Sequence, residues 1–210
     1  MKFDIEKFQA IKFHGINYIK QRIFLLTNNY LLSPKPQIIY LTPDIRCNSH
    51  CLMCHAWKIC EKTLSFSIWK RIIDNIACFC GPYTKINISG GEIFYSSLMQ
   101  KIIDYSIEKL PYTGITSNGL LITKNLAKKL IAKKFSNINI SIDGNLEKTV
   151  DIIRGTKNAF QLSRNAVQYL VTEKKKQQTE VKIIVKAILM GLNMNELPDL
   201  VSWVKEIGAD

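Results

Sequence analysis

Strand-like runs at residues 37–42, 84–89, 112–117, 136–142 and 181–189 alternate with helix-like stretches at about 66–78, 96–109, 124–134, 158–172 and 194–207. An apolar strand followed each time by an amphipathic helix is the pattern of parallel βαβ units. Two of the strands nearly repeat each other, Ile86-Asn87-Ile88-Ser89 and Ile138-Asn139-Ile140-Ser141, as expected of a repeated unit. Short connections and right-handed crossovers curl such strands into a barrel or part of one. The alternation therefore predicts an α/β fold around a parallel sheet.

The rest of the chain fits one domain with an appendage. Its 210 residues can bury a sizeable core, and 47% apolar and 22% charged residues are ordinary for a globular protein. Residues 4–30 carry apolar positions at near-helical spacing: Ile5, Phe8 and Ile11, then Ile16, Ile19, Ile23 and Leu26. The step from Ile11 to Ile16, with Gly15 inside it, predicts two helices rather than one. A basic segment of this kind either packs on its own domain, the expected outcome, or lies on a membrane surface. Ser33-Pro34-Lys35-Pro36 ends it, which divides the chain into an N-terminal helical segment, 1–36, and a core, 37–210. No apolar run approaches the ~20 residues of a membrane span. The N-terminus also lacks the layout of a signal peptide, so the expected compartment is the cytoplasm, where thiols stay reduced.

The net charge of +12 does not favour nucleic acid as the partner, because only five of the 29 basic residues are arginine, the side chain suited to base reading. The lysines are spread along the chain apart from Lys174-Lys175-Lys176, which reads as part of a solvated loop between Glu173 and Glu180.

The residues that carry chemistry gather at the strand ends. Cys47-x3-Cys51-x2-Cys54 follows the first strand, Gly90-Gly91-Glu92 the second, Ser117-Asn118-Gly119 the third and Ser141-Ile142-Asp143-Gly144 the fourth. Ligands of such sheets bind at the carboxyl ends of the strands. Three thiolates this closely spaced suit one metal centre better than a disulfide framework. Because cubane iron–sulfur clusters are mostly held by four cysteines, three leave one iron open to a substrate. The alternative is a structural zinc site of Cys51 and Cys54 with Cys78 and Cys80, or with His50 or His55, in a binding module for acidic partners or nucleic acid. Cys60, Cys78 and Cys80 otherwise read as inert thiols.

With these motifs in this order, the chain resembles the radical S-adenosylmethionine enzymes. Cys47 to Cys54 matches their cluster loop and Gly90-Gly91-Glu92 their glycine-rich motif. Ser141-Ile142-Asp143-Gly144, Ile153-Arg154-Gly155 and Asn193-Met194-Asn195-Glu196-Leu197 look like the branch of molybdenum-cofactor cyclases and peptide-maturing SPASM enzymes. Two positions depart from the usual pattern: Ile93 stands where proline is common, and Met53 where an aromatic residue is.

The resemblance implies a partial (β/α)6-type barrel. It implies a [4Fe–4S] cluster on Cys47, Cys51 and Cys54, with S-adenosylmethionine on the fourth iron. Reductive cleavage would give methionine and a 5′-deoxyadenosyl radical that abstracts hydrogen from a small-molecule or peptide substrate. The electron would come from a donor such as flavodoxin or ferredoxin. Gly90 and Gly91 would let backbone approach the cofactor. Glu92 would accept a hydrogen bond from the methionine ammonium, and Arg154 would face its carboxylate. Ser141 would meet that carboxylate or the ribose, and Ser117 and Asn118 the sugar or a neighbouring turn. Asp143 would bind a ribose hydroxyl or brace its loop, and the stretch from Ala187 to Met190 would pass the adenine. Five strand–helix units are legible where these enzymes have six, so the sequence predicts that the sixth is missing and that the fifth strand has an open edge.

Overall fold

A computed structural model describes residues 5–59, 63–81 and 83–210; Cys60 lies outside the described residues. Five parallel strands form one sheet in chain order: β1 (Ile38–Leu41), β2 (Lys85–Ile88), β3 (Thr113–Ser117), β4 (Asn137–Ser141) and β5 (Lys182–Lys186). The helices are α1 (Ile5–Thr27), α2 (Phe66–Phe79), α3 (Ser97–Lys109), α4 (Lys124–Ile131), α5 (Glu147–Arg154), α6 (Ala159–Gln177) and α7 (Leu197–Ile207). The predicted strand–helix order is present, with each of α2, α3, α4, α6 and α7 near its expected place.

The two faces of the sheet differ in chemistry because side chains alternate along each strand. Ile86, Ile88, Ile115, Ile138, Ile140 and Ile183 are all at most 1% exposed and form the core with α2 to α7. Each such side chain contributes roughly 1.5–3 kcal/mol by leaving water. The other face carries Asn87, Thr116 and Asn139, at neighbouring register positions. Asn139 Nδ2 donates to Asn87 Oδ1 at 3.0 Å and to the Ile115 carbonyl at 2.8 Å. The repeated Ile-Asn-Ile-Ser strands therefore place isoleucines under the helices and asparagines on the concave side.

The structure corrects several expectations. Residues 5–27 form one helix, not two: a glycine inside a helix costs only about 1 kcal/mol relative to alanine, and the chain turns instead at Asn28, whose φ is +51°. Lys174 to Lys176 lie in the last turn of α6 rather than in a loop, a place where cations favour the helix dipole. The fifth strand stops at Lys186. Its outer edge is not wholly open, since Asp210 N–H donates to the Ile183 carbonyl and Ile183 N–H to Asp210 Oδ2, both at 2.8 Å. No helix among the described residues is long and apolar enough to cross a membrane.

Candidate active site

The four polar strand ends meet on one rim, as their placement in the sequence predicts. The loop after β1 is held from two sides. On one side Gly91 N–H donates to the Asp44 carbonyl and Glu92 N–H to the Arg46 carbonyl, both at 2.9 Å. This contact requires the glycines. A Cβ on Gly90 would stand 2.2 Å from the Asp44 oxygen, and one on Gly91 2.0 Å from the Arg46 oxygen. On the other side the end of α5 receives the loop: His50 N–H donates to the Arg154 carbonyl at 3.2 Å and Leu52 N–H to the Ile153 carbonyl at 2.9 Å. Asn118 closes the middle, its Nδ2 donating to Asn48 Oδ1 at 2.8 Å and Ser49 Oγ at 3.2 Å.

Cys47, Cys51 and Cys54 line a cavity of about 310 Å³, together with Gly90, Gly91, Ser117, Asn118, Ser141 and Arg154. That volume is in the range of small-ligand sites. Ile188, inside the stretch from Ala187 to Met190, also lines it, as does Trp57, which the sequence did not single out because it belongs to no motif. Burial pushes the Cys47 thiol up, and the Cys51 thiol too, although the Arg154 guanidinium beside Cys51 works the other way. Arg154 Nη1 stands 3.9 Å from Cys51 Sγ.

Glu92 and Asp143 are placed behind this wall. Glu92 is 2% exposed, and its carboxylate accepts from Ser117 Oγ at 2.8 Å, Asn118 N–H at 2.7 Å and Phe94 N–H at 3.1 Å. Burial pushes its carboxyl above the usual range, against those three bonds and the Arg154 charge. Asp143 accepts from Ile188 N–H at 2.8 Å. Its Oδ2 is 2.6 Å from Arg154 Nη2, an ion pair without hydrogen-bond alignment. Asn193 ties the loop after β5 to the same place, donating to the Asp143 carbonyl at 2.6 Å and the Ile188 carbonyl at 2.8 Å. Glu196 accepts from Asn145 N–H at 2.8 Å and Leu146 N–H at 3.0 Å.

These residues fit an iron–sulfur cluster. Three free thiols on one clamped loop reach one cavity, and among the described residues no fourth cysteine lines it. Among the described residues no three His, Cys, Asp or Glu side chains converge as ligands of a single ion. Cluster thiolates each hold their own metal atom and need not so converge. The zinc alternative with Cys80 is separated in space, because Cys80 lies by Lys35 and Thr84, at the amino ends of β1 and β2. An anionic ligand group also fits, since the buried Arg154 Nε has no partner among the described residues.

The profile of the Radical SAM superfamily matches residues 43–204. The chain is 29% identical over 175 residues to the Fe-coproporphyrin III synthase of Methanosarcina barkeri, covering 82% of this chain and 41% of that protein. It is 31% identical over 165 residues to the mycofactocin maturase MftC of Mycobacterium tuberculosis, covering 78% and 40%. The chain thus spans about 40% of the length of these relatives. The crystal structure of Streptococcus suis SuiB bound to S-adenosylmethionine superposes with a TM-score of 0.70 at 18% identity, over 84% of this chain and 39% of that one. At that identity the likeness establishes the fold, a partial barrel. The profile match extends over well more than half of the chain, and the chain belongs to the radical SAM superfamily, enzymes that use a [4Fe–4S] cluster and S-adenosylmethionine.

Proposed function

We propose that Cys47, Cys51 and Cys54 hold the cluster, and that S-adenosylmethionine occupies the cavity between them and the strand ends. The bound pair supplies a 5′-deoxyadenosyl radical that takes a hydrogen atom from a peptide or small metabolite. The observation that carries this reading is the single cavity shared by the three thiols, the Gly90-Gly91 turn, Ser141 and Arg154. Arg154 holds the ligand's carboxylate with its unsatisfied N–H, and its charge favours the Cys51 thiolate. Ser141 offers a hydroxyl, and Gly90 and Gly91 leave their wall free of side chains. Ser117 and Asn118 form part of the wall, and Asp143 and Glu92 fix it from behind. The apolar side chains of Ile188, Met53 and Trp57 exclude water from part of the cavity. The electron donor is a flavodoxin or ferredoxin, and the compartment is the cytoplasm.

The test is anaerobic reconstitution with iron and sulfide, followed by reduction in the presence of S-adenosylmethionine. The expected result is a brown protein that forms 5′-deoxyadenosine, with both lost in the alanine variant of any of the three cysteines. A colourless protein that holds stoichiometric zinc after reconstitution would overturn the reading in favour of a zinc module.

A further inference from the structure

Helix α1 turns its more apolar arc away from the domain. The inward arc is carried by Gln9, Phe13 and Asn17. Tyr83 donates to Gln9 Oε1 at 3.0 Å, the Phe13 ring lies 5.7 Å from that of Tyr83, and Asn17 exchanges two hydrogen bonds with the Lys35 backbone. At 100° per residue, Ile5, Ile11, Ile16, Ile19, Ile23 and Leu26 fall on a separate arc. They are 39–85% exposed. Leu25, Tyr30 and Leu31 extend this surface at 62%, 81% and 93% exposure. An amphipathic helix normally buries such an arc.

Beyond Glu6 the charge around it is mostly positive. Between Glu6 and Asp44 the sequence holds no Asp or Glu but five basic residues, of which Lys12 and Arg22 are exposed within or beside the apolar arc. Lys35, Gly81 and Tyr83 precede β1 and β2, so α1 sits at the amino ends of the strands, opposite the cysteine cavity. An opening of about 710 Å³ lies at this same end, and its rim carries Lys85, Lys133, Lys134 and Lys182. Glu180 stands among them, and Lys133 is paired with Asp104. The ring of Tyr112, on that rim, lies tilted 5.8 Å from that of Tyr83, which joins the basic rim to α1.

We infer that the amino end of the barrel rests on an anionic membrane surface, with α1 lying in the plane of the interface. Apolar side chains enter the acyl boundary while Lys12, Arg22 and the rim lysines meet anionic headgroups. A second copy of α1 is the less suitable occupant, because its like charges would face Lys12 and Arg22. The cavity on the opposite end stays open to substrate.

Flotation of the full-length protein with phosphatidylcholine vesicles, and with vesicles containing a third phosphatidylglycerol, tests this. The protein should float with the anionic vesicles and release with rising salt. Ile19→Asp combined with Ile23→Asp should weaken binding at least about tenfold. Lys12→Glu and Arg22→Glu should each weaken it roughly fivefold or more, on anionic vesicles alone. Circular dichroism reports whether the variants fold, and the comparison of vesicles and salt decides the matter with the unaltered protein. Absence of flotation, equal binding to both vesicle types, or variants that bind as well as the parent would overturn the inference. So would self-association without vesicle binding that Ile19→Asp abolishes, which would assign the face to a second copy. None of these readouts needs cluster or cofactor, so they stand apart from the proposed reaction.

Discussion

Gly91 faces the carbonyl of Arg46 so closely that a Cβ would lie 2.0 Å from the oxygen. The turn after β2 and the loop that carries the cysteines are thus built against one another, and neither can move alone. Gly91→Ala should force the cysteine loop off its seat. Overpacking of this kind costs typically about 1–3 kcal/mol. Each kcal/mol lowers Tm by about 2–4 °C in a chain of this size. The iron bound after reconstitution should fall with it. Full iron content at an unchanged Tm would mean that the loop accommodates the methyl group.

Arg154 and Asp143 form a buried pair, with side chains 11% and 0% exposed. Removing one partner of such a pair strands the other charge and is destabilising by about 3–5 kcal/mol. Arg154→Ala should therefore destabilise strongly, and Arg154→Ala with Asp143→Asn should recover part of the loss. Denaturant unfolding of the two single variants and the double variant measures the coupling. Additive losses would show that the contact contributes no coupling.

Much of this arrangement was legible in the sequence, for a physical reason. Strand and helix periods mark the elements, and parallel connections put every strand's carboxyl end on one rim, so the four motifs had to meet. What periodicity does not encode is contact between loops. The glycines at 90 and 91 read as room for a ligand, yet their missing Cβ atoms face the protein's own backbone at Asp44 and Arg46. Helix α5, whose eight residues bury Val150, Ile153 and Arg154, falls outside the strand–helix alternation that marks the other helices of the core. The clamp from Asn193 to Asp143 joins residues 50 apart and leaves no local signal. Asp44, which organises the entry to the cysteine loop, belongs to no motif at all.

Asp44 gives the loop a pH dependence. Its carboxylate accepts from Arg46 Nε at 3.0 Å, Arg46 N–H at 3.0 Å and Ser96 Oγ at 3.1 Å. The Arg46 guanidinium beside it holds the carboxyl below its ordinary value of 3.8, in spite of burial. A depressed folded value means that the carboxylate stabilises the fold above pH 3.8, and that this contribution is lost as pH falls through the lower, folded value. Asp44→Asn should thus lower Tm near neutrality, and the gap from the parent should close below about pH 3.8. A gap that is constant with pH would assign the effect to packing rather than charge.

Glu92 separates two ways in which a motif residue can serve a cofactor. Its two carboxylate oxygens already accept three hydrogen bonds, from Ser117, Asn118 and Phe94, and so tie the end of β2 to the end of β3. In Glu92→Gln the amide keeps the size but presents N–H donors where an oxygen accepted. At least one buried donor then faces another donor, and an unsatisfied buried group costs about 1–3 kcal/mol. If the carboxylate braces the wall, the variant should lose stability and bind S-adenosylmethionine more weakly in the same measure, because the wall itself shifts. If the carboxylate instead reaches the ligand, affinity should fall while the unfolding midpoint stays put. The geometry predicts the first outcome: a lowered midpoint, together with affinity reduced by about one to two decades if ~1.5–3 kcal/mol of the bracing is lost. Ser117→Ala should reproduce a weaker form of both effects, since it removes one of the same three donors without touching the carboxylate. Weakened binding at an unchanged midpoint in Glu92→Gln, with Ser117→Ala silent, would refute the bracing role.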